Sequence, residues 1–199
     1  YVTGLFHGDL GVSYQQSGKA VSQILAEKYP YTIRLAAVAI VIEALIGILA
    51  GMVSAIRRYS FWDVLVTLST SILVAMPAFW LGMLLQLFFG IILKDATGEA
   101  FYLPISGAGG PHAEFDSGMY YILPAITLAS VSTAYTARIM RSQLLEVMNQ
   151  DYIRTARSKG VSERKVITRH ALRNALIPLA TIVAFDFANL IGGAVITET

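Results

Sequence analysis

The chain has 199 residues, of which 55% are hydrophobic and only 14% are charged, and it carries a formal net charge of +2 and no cysteine. Soluble domains usually contain about 25% charged residues, so this composition indicates a membrane protein. The lack of cysteine excludes a disulfide framework and a thiolate metal site.

The N-terminal part of the chain, residues 1–31, contains no window long enough to span a bilayer and is predicted to lie outside the membrane. Within it, residues 21–28 predict a short helix along the membrane surface that ends at Pro30. The first spanning helix is predicted over residues 32–56. It includes Glu43, which is a candidate functional residue because a carboxylate inside a membrane is costly.

A second spanning helix is predicted over residues 64–93, which contain no charged residue. Thirty residues exceed the length that a bilayer requires, so the helix must tilt or kink, and Pro77 is the expected kink. Phe79 follows the kink and is a candidate for lining a path, although packing is the alternative role. Residues 94–119 form an acidic loop.

The third and fourth spanning helices are predicted over residues 120–141 and 176–196. The third is rich in small and hydroxylated residues, which suit close helix packing or a wet interior. The fourth contains Asp186 and Asn189. The alternative for Asp186, as for Glu43, is a hydrogen-bonded position inside the bundle without contact to a transported molecule.

The long polar stretch between these last two helices, residues 142–175, is strongly basic. The apolar residues of a first short helix fall at helical spacing: Tyr152, Ile153 and Ala156. Gly160 then ends that helix, and Ser162 is predicted to cap a second one. Attraction to anionic lipid would need only the charge and would not explain the glycine between two amphipathic halves. We therefore predict a helix–glycine–helix docking element.

The distribution of basic residues predicts the orientation of the chain in the membrane. Residues 138–173 and the short loop after residue 56 are basic, whereas residues 94–119 are acidic. Four alternating helices agree with this only if residues 142–175 are cytoplasmic and residues 1–31 and 94–119 are outside. The predicted fold is an all-α polytopic transmembrane bundle. Since the sequence does not begin with methionine, we expect residues 1–199 to be one membrane domain from a longer protein.

Motifs for catalysis and metal binding are missing from the sequence. The Gly18-Lys19 pair lacks the remaining residues of a phosphate-binding loop, and the three histidines are far apart. We therefore expect no catalytic residue, cofactor or metal on this chain. An integral membrane enzyme would require a reactive set of side chains that the sequence does not provide.

Two motifs at a fixed separation carry a family resemblance: DYIRTARSKG at residues 151–160 and RHALRNALIP at residues 169–178. Together they resemble the cytoplasmic EAA loop of the permeases of binding-protein-dependent ABC importers, in the form of the dipeptide/oligopeptide/nickel subfamily. Arg154 and Thr155 replace the Glu-Ala of the general importer motif, as is usual in that subfamily. Three further segments also resemble it: GDLGVSY at 8–14, AMPAFWLG at 75–82 and GGAVITET at 192–199.

The resemblance implies a multi-pass permease subunit of the bacterial cytoplasmic membrane that imports di- or oligopeptides, nickel or another small solute. Its implied partners are ATP-binding cassette subunits, which would hold ATP and magnesium, a second permease subunit, an extracytoplasmic solute-binding protein and membrane lipid, but no nucleic acid. The loop at 142–175 would couple the permease to the ATPase. The implied docking residues are Asp151, Tyr152, Arg154, Thr155, Ala156, Arg157, Lys159 and Gly160. The candidate residues of a translocation path are Pro77, Phe79, Asp186 and Asn189.

A different class of transporter remains open from the residues alone. An ion-coupled secondary transporter or channel would use Glu43 and Asp186 as ion sites and would need no ATPase.

Overall fold

The computed structural model describes residues 9–14, 18–98, 101, 103–105 and 119–193, and these residues are almost entirely helical. The helices are α1 (Val21–Ile56), α2 (Phe61–Ala75), α3 (Ala78–Leu85), α4 (Leu93–Thr97), α5 (Met119–Met148), α6 (Asp151–Ser158), α7 (Glu163–Lys165) and α8 (Leu172–Gly193). Two π-helical segments, Gln86–Ile92 and Val166–Ala171, join α3 to α4 and α7 to α8. The predicted all-α polytopic fold is confirmed.

Parts of the predicted organisation lie outside the described residues. They are most of the external loop at 94–119, residues 1–8 and 15–17 of the external segment 1–31, and the end of the fourth predicted helix after residue 193.

Three described helical stretches are long and apolar enough to span a membrane: Val21–Ile56, Ala78–Thr97 and Glu163–Leu190. Helix α2 is apolar but shorter. Helix α5, which contains the third predicted run, is less apolar because small and hydroxylated residues occupy much of its length. Many of these residues are buried, so α5 is the central helix of the described bundle.

Helix α1 runs parallel to α5 along most of its length. At one end Leu35 packs with Ala125 and Ala129, and at the other end Arg141 donates a hydrogen bond to Ser54. Helix α8 runs antiparallel to both, since Leu190 belongs to the first of these contact regions. These directions agree with successive crossings of a membrane.

Two glycines of α1 allow it to approach α5 closely. A Cβ atom on Gly47 would lie 2.8 Å from the Cγ2 atom of Thr136, and one on Gly51 would lie 2.7 Å from the Cβ atom of Met140. Small residues at a helix interface let the backbones approach in this way.

The predicted surface helix that ends at Pro30 is wrong. Helix α1 begins at Val21 and continues through Pro30 to Ile56. Proline removes one hydrogen bond of the helix, and the surrounding turns keep theirs. The 36 residues extend over about 54 Å at 1.5 Å per residue, which exceeds a hydrocarbon core of about 30 Å. The first turns of α1 therefore extend beyond the membrane core.

The predicted kink at Pro77 is a complete break in the helix. Met76 and Pro77 are extended, with ψ angles of 131° and 135°. Proline disfavours a helical conformation at the residue before it, which accounts for the end of α2. The single spanning helix predicted over residues 64–93 is thus corrected to two helical parts, the second of which continues to Thr97. Helices α2 and α3 both pack against α5.

Candidate functional site

The short helix α6 lies across one end of the bundle and is held there by its apolar face. Ile153 is 0% exposed and Ala156 is buried one turn later, so both side chains point into the bundle. They belong to a group of buried residues, here called the basal cluster, that joins five elements: Ala55, Met140, Leu144, Ile153, Ala156, Val166, Ala171, Ala175 and Leu179.

The outer face of α6 is polar and basic. Seven of the eight predicted docking residues are exposed on it or on the elbow that follows: Asp151, Tyr152, Arg154, Thr155, Arg157, Lys159 and Gly160. The eighth, Ala156, is buried in the basal cluster, so its prediction as a surface contact is wrong. Helical spacing predicts which residues share a face but not what covers that face.

A glycine elbow ends α6 in the way that its sequence predicts. Gly160 has a φ angle of +77°, and its N–H donates to the Arg157 carbonyl at 2.9 Å. The Val161 N–H donates to the Ala156 carbonyl at 3.2 Å, which completes a Schellman motif. Val161 also packs against the basal cluster. A Cβ atom on Gly160 would meet no heavy atom within 4 Å, so the position requires glycine for its backbone conformation alone.

We expect Gly160→Val to loosen the end of α6. A β-branched residue at positive φ costs roughly 1 kcal/mol or more, and about 1 kcal/mol corresponds to roughly fivefold in an opening equilibrium. Hydrogen exchange of the α6 amides should therefore be about fivefold faster in this variant. Gly160→Asn is the matched control, because asparagine tolerates positive φ and should change exchange much less. Equal exchange in Gly160→Val and the unsubstituted protein would contradict the role of the elbow.

The second half of the element begins at Ser162, but its side chain makes no capping hydrogen bond. Ser162 is nevertheless the N-cap residue, as predicted, since its carbonyl accepts from the N–H groups of Lys165 and Val166 at 2.8 and 3.0 Å. Glu163 instead pairs with Arg157 across the elbow, through Nη2–Oε1 and Nε–Oε2 distances of 2.7 and 3.0 Å. This carboxylate raises the pKa of Arg157 above its ordinary value, so the arginine stays charged.

The docking element is connected directly to the last helix. From Glu163 the chain stays helical through the second π segment into α8. Asn174, near the start of α8, donates from Nδ2 to the hydroxyl oxygen of Tyr152 at 2.8 Å. Helix α6 is therefore joined to α8 through the elbow, through this hydrogen bond and through the basal cluster.

A buried ion pair at the same end of the bundle was not predicted from the sequence. Arg141 on α5 donates to both carboxylate oxygens of Asp63 on α2, from Nε to Oδ1 at 2.8 Å and from Nη2 to Oδ2 at 2.9 Å. Ser54 on α1 donates to Oδ1, and the Tyr59 N–H donates to Oδ2 at 2.9 Å. The carboxylate on α2 thus accepts from two other helices, α1 and α5, and from the loop that connects α1 to α2. The only sequence feature that pointed to this pair was Asp63, an acid in the first turn of an apolar helix.

The four candidate path residues lie on two separate parts of the bundle. Pro77 and Phe79 are exposed at the junction of α2 and α3, and Asn189 is exposed on α8. Asp186, also on α8, is partly buried and faces Glu43 of α1. Asp186 and Glu43 interact electrostatically, whereas α8 makes few contacts with the helices on either side of Pro77.

The family described as binding-protein-dependent transport system inner membrane component matches residues 47–199. The chain is 43% identical to a protein named as a peptide transport system permease in Brucella suis, over 100% of the chain and 61% of the relative. It is 36% identical to an oligopeptide transport system permease protein of Bacillus subtilis, over 100% of the chain and 61% of that protein. It is 33% identical to a dipeptide transport system permease protein of Escherichia coli, over 100% of the chain and 63% of that protein.

These relatives are all longer than the chain, which spans about three fifths of their length.

Proposed function

Because the chain belongs to the family of binding-protein-dependent transport system inner membrane components, a family of multi-pass inner membrane permeases, we propose that it is the permease subunit of an ATP-driven peptide importer. The names of its relatives favour peptides, dipeptides or oligopeptides over nickel as the class of solute. The observation that carries the proposal is the arrangement of α6, whose apolar face is anchored in the bundle while its basic face is exposed.

In this proposal α6 docks onto a separate ATP-binding cassette subunit that holds ATP and magnesium. The cationic side chains of Arg154, Arg157 and Lys159 would steer that encounter toward an acidic surface of the ATPase. The permease itself contributes no cofactor and no catalytic group. An extracytoplasmic binding protein would deliver the peptide, and a second permease subunit would complete the translocation path, for which Pro77 and Phe79 are candidates.

The proposed coupling between the ATPase and the membrane helices follows from the way α6 is attached to the bundle. When two ATPase subunits close on ATP, each would displace the α6 helix seated on it. Helix α6 shares the basal cluster with α1, α5 and α8, so its displacement would be transmitted to three membrane helices together. Packed interfaces of this kind shift between discrete arrangements, as alternating access requires.

The docking of α6 is testable by a cysteine introduced at a chosen position, because residues 1–199 contain no cysteine. Thr155 is exposed on the outer face of α6, so Thr155→Cys labelled with benzophenone maleimide should cross-link to the ATPase subunit in the assembled importer. Gln23→Cys is the control, since Gln23 is exposed at the opposite end of the bundle. An ATPase adduct from the Thr155→Cys permease alone is the expected result. Adducts of equal yield from both variants, or none from Thr155→Cys, would argue against the proposal.

The alternative of an ion-coupled secondary transporter is supported by the electrostatic interaction of the buried Glu43 with Asp186. It is distinguished by reconstituting the complete importer in vesicles. Uptake that persists without ATP and requires a proton or sodium gradient would favour the alternative.

A further inference from the structure

The middle of the bundle contains a fully buried carboxyl group that the proposed coupling does not use. Glu43 lies on α1 and its residue is 0% exposed. Its Oε1 atom accepts a hydrogen bond from Oγ1 of Thr136 on α5 at 2.7 Å. Its Oε2 atom has no hydrogen-bond partner among the described residues. Such an orphaned oxygen in a native interior calls for an explanation.

The charged group that faces Glu43 is another acid. Asp186 of α8 precedes Phe187, which packs against the apolar cluster of α1, and its carboxyl interacts electrostatically with Glu43. The position facing Glu43 on α5 is held by the neutral Thr136. Arg138 lies half a turn further along α5, but it is exposed and its guanidinium group donates to Thr70 and Ser71 on α2. Among the described residues, then, two carboxyls meet between α1 and α8 with no cation between them.

Two ionised carboxylates in contact inside a membrane bundle would repel each other and would both lack hydration. We propose that Glu43 and Asp186 bind one proton between them, which makes this contact a proton-binding site in the centre of the permease. One carboxylate takes the proton from a hydronium ion of the solvent, which leaves a water molecule. The new O–H group then donates a hydrogen bond to an oxygen of the other carboxylate. The pair keeps one negative charge, and the orphaned Oε2 atom of Glu43 gains a partner.

This site makes the contact between α1 and α8 depend on a proton. Helix α8 is the continuation of the docking element, so a movement of α8 away from α1 would separate the two carboxyls and release the proton. Conversely, deprotonation would leave two negative charges that push the helices apart. The proton site rests on the buried geometry alone and would exist whether or not an ATPase drives the permease.

Infrared spectroscopy of the purified full-length permease in lipid tests the proposal, because a protonated carboxyl has a C=O stretching band that a carboxylate lacks. The protein at neutral pH should show this band, and alkaline pH should remove it. Carbon-13 labelling of glutamate or of aspartate assigns the band without any substitution. A spectrum with no such band at neutral pH, with or without sodium, would overturn the proposal.

Two neutral variants separate a shared proton from a single protonated acid. Glu43→Gln should abolish the band, since it removes one of the two carboxyls that share the proton and leaves only the partly buried Asp186. Asp186→Asn should leave a band from the buried Glu43, but shift its frequency and the pH at which it disappears. Glu146→Gln, at an exposed position of α5, is the control and should leave the spectrum unchanged. A band that is unaffected by Asp186→Asn would show that Glu43 holds the proton alone and would refute the shared site.

Discussion

We expect Asp63→Ala to destabilise the bundle more than the other single substitutions of charged residues that we propose. The side chain of Asp63 is 7% exposed, and that of its partner Arg141 is 30% exposed. Removing one partner of a buried ion pair typically costs about 3 to 5 kcal/mol, because the other charge stays behind unpaired. Since water reaches part of Arg141, we expect about 3 kcal/mol, at the low end of that range. The free energy of unfolding in mixed micelles measures this loss.

Two further variants identify the cause of that loss. Asp63→Leu combined with Arg141→Met removes both charges and should recover much of the stability lost by Asp63→Leu alone. Glu146→Ala removes an exposed acid from α5 and should change the stability by less than about 0.5 kcal/mol. If the double variant were no more stable than the single one, the penalty would not arise from a stranded charge.

The basic docking element shows how far local sequence rules reach. Its first helix, its glycine elbow and its continuation toward the last helix follow from helical spacing and from the conformational freedom of glycine, which act within a few residues. The structure agrees on Asp151–Ser158 as a helix and on the positive φ angle of Gly160. Structure that is determined by residues within one or two helical turns could therefore be predicted from the sequence.

Features that depend on contacts between residues far apart in the sequence could not be predicted. The pair of Asp63 and Arg141 joins residues 78 positions apart, and each alone is typical of a charge at the end of a membrane helix. The inward orientation of Ala156 depends on the bundle that covers it. At Pro77 the sequence predicts an interruption, but surrounding contacts decide whether a proline kinks a helix or ends it.

The largest effect on transport is expected from Ile153→Ala. Ile153 is the side chain that anchors α6 most deeply, and truncating a buried isoleucine to alanine costs about 2 to 5 kcal/mol. Much of this cost should appear as detachment of α6 from the bundle, since few other residues of this two-turn helix are buried. A detached α6 would still bind the ATPase, but its displacement would no longer be transmitted to the membrane helices. In the reconstituted importer, the amount of peptide taken up per ATP hydrolysed should fall about tenfold or more, as tenfold corresponds to about 1.4 kcal/mol.

Graded and matched variants separate this uncoupling from general instability. Ile153→Val removes one methylene and should have a smaller effect, at about 1 kcal/mol. Tyr152→Phe removes only the hydrogen bond from Asn174, worth about 1 kcal/mol. Leu179→Ala weakens the same basal cluster from α8 without changing a residue of α6. It should lower the amount of folded protein while the surviving molecules keep their uptake per ATP. If Leu179→Ala and Ile153→Ala lowered that ratio equally, α6 would be acting as a part of the core and not as the link through which the ATPase moves it.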